Sequence, residues 1–300
     1  MSLAQLRDSG SILPAPKITT HTLLDRKLNR QRITALTAYD YPTARLVDEA
    51  GIDLILVGDS LGMAVLGYAD TLPVTVEEML HHTRAVRRAV RSSLLVVDMP
   101  YGSYHVSEEN ALRHAVRFMK EGGAEAVKIE GGSNRASIVD RLTRAEIPVV
   151  GHIGLTPQSL HRMGGYRVQG KSFAALEMLR ADAAALQAAG AVAIVLEGVP
   201  REVAALLTQE LSIPTIGIGA GPDCDGQILV FHDLFHLTFS AGAKFVRRYG
   251  DAAELFRQGI ASYRDDVTGH AFPSDAESYH LPSAVRDEME AANRLHPCEA

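Results

Sequence analysis

The sequence predicts an α/β protein, a single (β/α)8 TIM barrel with short N- and C-terminal extensions, and three observations carry that expectation. The first is a weak repeat in which a helical stretch ends in Ala-Gly or Gly-Gly, a short apolar run follows, and the run stops at an acidic residue. It is plainest over Ala50 to Asp59, Gly122 to Glu130 and Ala189 to Glu197. Glycine stops a helix in the left-handed region, and the β-branched run behind it is the entry of a buried parallel strand. The second is the set of five further short apolar runs around these three, which makes eight candidate strands. The third is helical periodicity in the segments between them, as in Val76 to Val90 and Glu109 to Glu121. Strands alternating with helices imply a parallel sheet. Eight such units in one uninterrupted chain favour a closed barrel over the alternative, an open doubly wound sheet.

In chain order, residues 1–19 are an N-terminal arm, whose Arg7 and Asp8 leave no unbroken apolar core for a signal peptide. The barrel is expected over residues 20–272. Its first strand is Ile33 to Ala38, and its second ends at Asp59. The connection Ser60 to Thr75 is longer than a usual βα loop and suggests a functional segment. On the helix that follows, Arg84, Arg87, Arg88 and Arg91 form a basic stripe, read as a solvated face or a subunit contact. Strand three is Leu94 to Asp98, strand four ends at Glu130, and strand five is Pro148 to His152. A second long connection, Gly154 to Ser172, holds Gly164-Gly165-Tyr166 and Gln169-Gly170-Lys171, which suit a mobile cover. Strand six ends at Glu197 and strand seven is Pro214 to Gly219. Gly217 to Pro222 lacks the last glycine of a dinucleotide fingerprint and reads as a tight loop at the barrel mouth. His232 and His236 have the spacing of a zinc-protease pair, with Asp233 in place of the glutamate and no evident third ligand. Lys244 to Tyr249 is the expected eighth strand. Residues 273–300 are a polar tail with a short amphipathic helix, Ala284 to Asn293.

Composition narrows the partners. A balance of 30 basic against 36 acidic residues, net charge −6, gives no electrostatic footprint for a phosphate backbone, so nucleic acid is not an expected partner. No apolar run reaches the roughly 20 residues of a membrane span. Two cysteines, Cys224 and Cys298, make no disulfide framework, and a reducing cytoplasm is the simplest compartment.

In such a barrel the C-terminal strand ends converge on one face, where active sites are built. Asp59, Asp98, Glu130, His152 and Glu197 occupy that position on five consecutive strands. Helix capping is the competing account of Asp59 and Ser60, and Asp98 before Met99-Pro100 could simply start a turn. Glu130 and Glu197 have no such alternative, since glutamate caps poorly. Gly131-Gly132 after Glu130 would let the backbone approach a ligand. Two carboxylates about 4 Å apart repel by roughly 4 kcal/mol at an effective dielectric of about 20. Three of them therefore call for a cation, and hard oxygen ligands suit Mg2+ or Mn2+. Lys128 lies two residues before Glu130 and shares its face. It needs an anionic partner, either Glu130 or a substrate carboxylate, unless it reaches the rim as a structural ion pair.

Beyond composition and spacing, the chain resembles the ketopantoate hydroxymethyltransferase family from about Thr20 to about Tyr279. The resemblance rests on Thr37-Ala38-Tyr39-Asp40, Val57-Gly58-Asp59-Ser60-Leu61-Gly62, Asp98-Met99-Pro100-Tyr101-Gly102-Ser103-Tyr104, Val127-Lys128-Ile129-Glu130-Gly131-Gly132 and Gly151-His152-Ile153-Gly154-Leu155-Thr156-Pro157-Gln158. Gly165 to Lys171, Glu197 and Gly217 to Gly221 with Asp225-Gly226-Gln227 extend it. It departs where the family has a Leu-Gly pair and a Pro-Lys-Phe, for which this chain has Phe235-His236 and Ala243-Lys244-Phe245. The resemblance implies a cytoplasmic homo-oligomer, a homodecamer, of pantothenate biosynthesis. It would transfer a one-carbon unit from 5,10-methylenetetrahydrofolate to 3-methyl-2-oxobutanoate, giving 2-dehydropantoate and tetrahydrofolate. It implies Mg2+ at Asp59, Asp98 and Glu130, substrate contacts from Asp59, Ser60, Asp98 and Lys128, and Glu197 as the base. His152 and Ser60 would orient the substrate. Mutases and lyases of the phosphoenolpyruvate mutase kind are the nearest rivals, but their Lys-Lys-Cys-Gly-His loop is absent from the sequence. A non-catalytic scaffold predicts a degraded acidic constellation, whereas every expected strand end is occupied.

Overall fold

The computed structural model describes residues 16–239 and 242–295. The expected N-terminal arm as far as residue 15, and the end of the tail with Cys298, lie outside the described residues. Eight strands run in chain order: β1 (Ile33–Thr37), β2 (Leu54–Val57), β3 (Leu94–Asp98), β4 (Ala126–Glu130), β5 (Val149–Gly154), β6 (Ala193–Glu197), β7 (Thr215–Ile218) and β8 (Gly226–Leu229). Each pairs in parallel with the next, and β8 pairs with β1, so the sheet closes into the expected barrel.

Among the described residues, ten α-helices accompany the strands. They are α1 (Thr20–Leu28), α2 (Tyr41–Glu49), α3 (Leu61–Ala64), α4 (Val76–Arg87), α5 (Glu108–Arg117), α6 (Ala136–Thr143), α7 (Leu160–Met163), α8 (Phe173–Ala188), α9 (Arg201–Glu210) and α10 (Phe231–Leu234). Thr75 and Glu78 close a capping box on α4, while Asp40, Ser107 and Ser172 cap α2, α5 and α8 through their side chains. The repeat works as its composition requires: Gly51, Gly123 and Gly190 take φ of 77°, 70° and 93°, and each turns a helix end toward β2, β4 or β6. Both long connections contain short helices, α3 in one and α7 in the other. Residues from Asp251 onward form a second compact unit, with α11 (Ala252–Thr268) and α12 (Ser283–Leu295).

One strand lies elsewhere than expected. Lys244 to Tyr249 is an exposed turn segment, and the eighth strand is Gly226–Leu229. Three cations in six residues cannot enter a parallel barrel buried on both faces. The true strand is only four residues long and opens on Gly226, where a Cβ would stand 2.6 Å from the Ile33 carbonyl oxygen. Gly219 to Asp225 carries the chain from the top of β7 to the base of β8 without a helix, so the glycine-rich run is a crossover that only begins at the mouth.

Two apolar shells hold the barrel. Inside lie Ile33, Ala35, Leu54, Leu56, Leu94, Val96, Ala126, Val150, Ala193, Val195, Ile216 and Ile228, with Leu23 of α1. Outside, residues such as Ile55, Val97, Val127 and Ile194 pack against helical side chains such as Leu80, Val139 and Leu186. Burying each such Val, Leu or Ile side chain is worth about 1.5–3 kcal/mol.

Candidate active site

The inner shell explains why the polar residues meet. Inward side chains recur every second residue along a strand, so Leu94 and Val96 lead to Asp98, Ala126 leads to Lys128 and Glu130, Val150 leads to His152, and Ala193 and Val195 lead to Glu197. Each column is apolar at the base and polar at the mouth. Register aligns them: Asp98 pairs with Lys128 and Glu130 with His152. Asp59 follows a different route. Gly58, just past the end of β2, takes the next inward position, and Asp59 turns in after it, its N–H donating to Asp98 Oδ2 at 3.0 Å.

Lys128 Nζ lies 2.8 Å from Asp98 Oδ1, 3.9 Å from Glu130 Oε1 and 3.1 Å from His152 Nδ1. Its principal partner is thus Asp98. His152 Nδ1 is 3.5 Å from Glu130 Oε1 and Nε2 is 3.2 Å from Glu197 Oε2, so the imidazole bridges the sealed acids and Glu197. Ser60 Oγ pairs with the Tyr39 hydroxyl at 2.8 Å and makes no cap on α3, which removes the capping account of this turn.

Gln158 and Tyr104 are the residues that strand-end reasoning missed. The Gln158 side chain donates from Nε2 to Asp59 Oδ2 at 2.8 Å and to the Met99 carbonyl at 3.0 Å, while its backbone N–H donates to Glu130 Oε2 at 2.9 Å. Tyr104 OH donates to Gln158 Oε1 at 2.6 Å and accepts from the Glu130 N–H at 3.2 Å. One amide side chain thereby ties acids from β2 and β4 together. The quoted Thr156-Pro157-Gln158 motif was the only signal for it. The glycine pair after Glu130 serves packing more than ligand approach: a Cβ on Gly131 would meet Arg135 Cγ at 2.7 Å, and one on Gly132 would meet Asp182 Cγ at 2.0 Å.

The electrostatics separate the three acids. Burial, together with the charges of Asp98 and Glu130, holds the Asp59 carboxyl well above the usual aspartate value. Burial also raises Asp98, with Lys128 opposing. Burial works against the Glu130 charge too, but His152, Lys128 and the Gln158 N–H outweigh it and leave that carboxyl below its usual value. Burial and the Lys128 ammonium oppose a charge on His152, whereas Glu130 and Glu197 favour it, and the imidazole is pushed up to about 9. Lys128 is itself a cation among the acids, so the repulsion expected from the sequence is partly met from within the chain.

The donor set fits one further cation at Asp59 and Asp98. Asp98 Oδ1 is buried without a well-aligned hydrogen bond, and Asp59 is the acid that no side-chain cation touches among the described residues. No three His, Cys, Asp or Glu side chains are grouped so as to hold a metal ion among the described residues, including Asp59, Asp98 and Glu130, and including His232 and His236. Mg2+ commonly takes only one or two protein carboxylates and fills its shell from solvent and substrate. Glu130 is already engaged by Gln158, His152 and Lys128.

Beside this cluster lies a cavity of about 710 Å³, walled on its inner side by Glu130, Tyr104 and Gln158 and extending past Arg135 toward α7 and α8.

Fold and site together define a (β/α)8 barrel with a cluster of buried acids at the C-terminal mouth of its strands. In overall fold it is similar to a phosphoenolpyruvate phosphomutase from Streptomyces platensis subsp. rosaceus, with a TM-score of 0.57 at 15% identity over 93% of this chain and 99% of that one. A phosphonopyruvate hydrolase solved with oxalate and Mg2+ has a TM-score of 0.55 at 16% identity over 94% and 100%. At those identities the likeness concerns the fold alone. The sequence is more specific: residues 17–275 match the family described as ketopantoate hydroxymethyltransferase, and the chain belongs to that family. A 3-methyl-2-oxobutanoate hydroxymethyltransferase from Koribacter versatilis is 66% identical over 281 residues, covering 93% of this chain and 95% of that one. One from Pelobacter propionicus is 55% identical over 88% of this chain and 98% of its own length.

Proposed function

We propose that this chain transfers a one-carbon unit from 5,10-methylenetetrahydrofolate to 3-methyl-2-oxobutanoate, consuming one water and giving 2-dehydropantoate and tetrahydrofolate. One observation carries the assignment of roles. Glu197, with a side chain 16% exposed, is the most accessible of the four acids, and it faces the sealed group across His152. A base must reach substrate, whereas charge stabilisers gain from burial. Glu197 would take the proton from the carbon beside the ketone, and His152 would hold the Glu197 carboxylate in place. Lys128 would balance the substrate carboxylate, with Ser60 orienting it. Asp59 and Asp98, with Glu130 behind them, would hold Mg2+; when bound, that ion would supply positive charge where the enolate oxygen develops negative charge. Water releases the methylene carbon from both folate nitrogens as formaldehyde, leaving tetrahydrofolate; the carbanion adds to that carbonyl carbon, and its oxygen takes the proton that Glu197 would carry, giving the hydroxyl of 2-dehydropantoate.

Family membership also supports a cytoplasmic homo-oligomer. Among the described residues no helix is long and apolar enough to cross a membrane.

The direct test follows exchange of the carbon-bound proton of 3-methyl-2-oxobutanoate in deuterated buffer. Mg2+ should promote it, and Glu197→Gln should slow it by about 10²–10⁴-fold, the range of a general base. Exchange that is indifferent to chelator, or unaltered in Glu197→Gln, would sink the assigned roles.

A further inference from the structure

We propose that the cavity beside Glu130 is the subsite of the one-carbon donor, built for a flat heterocycle that carries an anionic tail. The proposal rests on the transfer reaction above and adds the residues that hold its larger substrate. Asp59, Asp98 and Lys128 are each at most 5% exposed, which leaves no room against them for a bicyclic ring. A large donor has to bind alongside and present its carbon inward. The cavity of about 710 Å³ is placed for this, since Glu130, Tyr104 and Gln158 belong both to its wall and to the acid network.

Its chemistry suits a planar ring. Tyr101 and His105 lie with ring centroids 4.7 Å apart, His105 and Tyr104 4.2 Å apart, and the Arg135 guanidinium sits 5.3 Å from the centre of the Tyr104 ring. Tyr101 is 49% exposed, an aromatic that the core does not use. Burial and the Arg135 charge keep His105 neutral, with a pKa lowered to about 4, so it offers an uncharged face. Arg135 Nε is buried with no hydrogen-bond partner among the described residues, a donor left unspent beside the ring site. Arg162 lies farther along the wall on α7, where carboxylates of a tail would meet its positive charge.

Calorimetry with tetrahydrofolate on the full chain reads this subsite without turnover. In Tyr101→Ala and in Arg162→Ala, both at exposed positions, the Kd for tetrahydrofolate should rise at least about tenfold, the scale of one lost stacking or charge contact. The KM for methylenetetrahydrofolate should rise with it, while the KM for the 2-oxo acid stays within about twofold. Unchanged tetrahydrofolate binding in both variants overturns the subsite, as does an equal rise in both KM values. Tetrahydrofolate binding that weakens in the variants of a protein unable to transfer the carbon would uphold the subsite and overturn the reaction instead.

Discussion

Asp59 is a side chain whose charge works against the fold. Its folded pKa is raised by burial and by the neighbouring acids, so between the ordinary aspartate value of 3.8 and that raised value the folded state binds more protons than the unfolded one. Stability of the metal-free protein therefore falls as pH rises through that window. Asp59→Asn should flatten this decline and raise the Tm at neutral pH in the presence of chelator. The same variant should lose about 10²-fold or more in kcat/KM, as when one electrostatic stabiliser is removed. Thermal melts across pH check the first part, and a variant no more stable than its parent would refute it. At this scale the acids were legible because a titratable residue at a strand end is unusual in a repeat. Gln158 and Tyr104 were not, because their contacts join residues 99 and 54 positions apart through loop geometry that no local pattern encodes.

Helix α2 is joined to the start of β3 by a single carboxylate. Asp48 accepts hydrogen bonds from the backbone N–H groups of Arg91, Ser92 and Ser93 at 3.0, 3.0 and 2.7 Å. Burial works against its charge, but these donors prevail and lower its pKa. The stabilisation is complete above the ordinary aspartate value and is lost as pH falls through the lower folded one. Asp48→Ala should cost about 2–3 kcal/mol by leaving these donors without their charged acceptor. The difference in Tm from the parent should shrink below about pH 4, and a difference constant down to pH 2 would contradict the account. Elements with a glycine stop and a β-branched run, β2, β4 and β6, were readable from the sequence. β8 was not: Gly226-Gln227-Ile228-Leu229 is too short and too mixed to compete with the Phe245-Val246 run, and pairing with β7 and β1 is what makes it a strand.

Across the whole chain, the second unit presents an apolar helix face. Leu255, Ile260 and Tyr263 of α11 are 65%, 68% and 60% exposed, more than isolated surface residues account for. Light scattering at micromolar concentration should give a mass several times the 32.4 kDa of one chain, and Ile260→Glu should lower it. A monomeric mass for the unaltered protein would refute the homo-oligomer. The barrel also carries a consequence for its own synthesis. β1 can complete its pairing only with β8, and that contact needs Gly226 directly against the Ile33 carbonyl. While the ribosome is still adding residues 38 to 225, one edge of the emerging sheet stays open and able to pair with a neighbouring nascent chain. Sealing of the ring thus waits for residue 226 to be made, and any side chain there would prolong the interval in which that edge stays open.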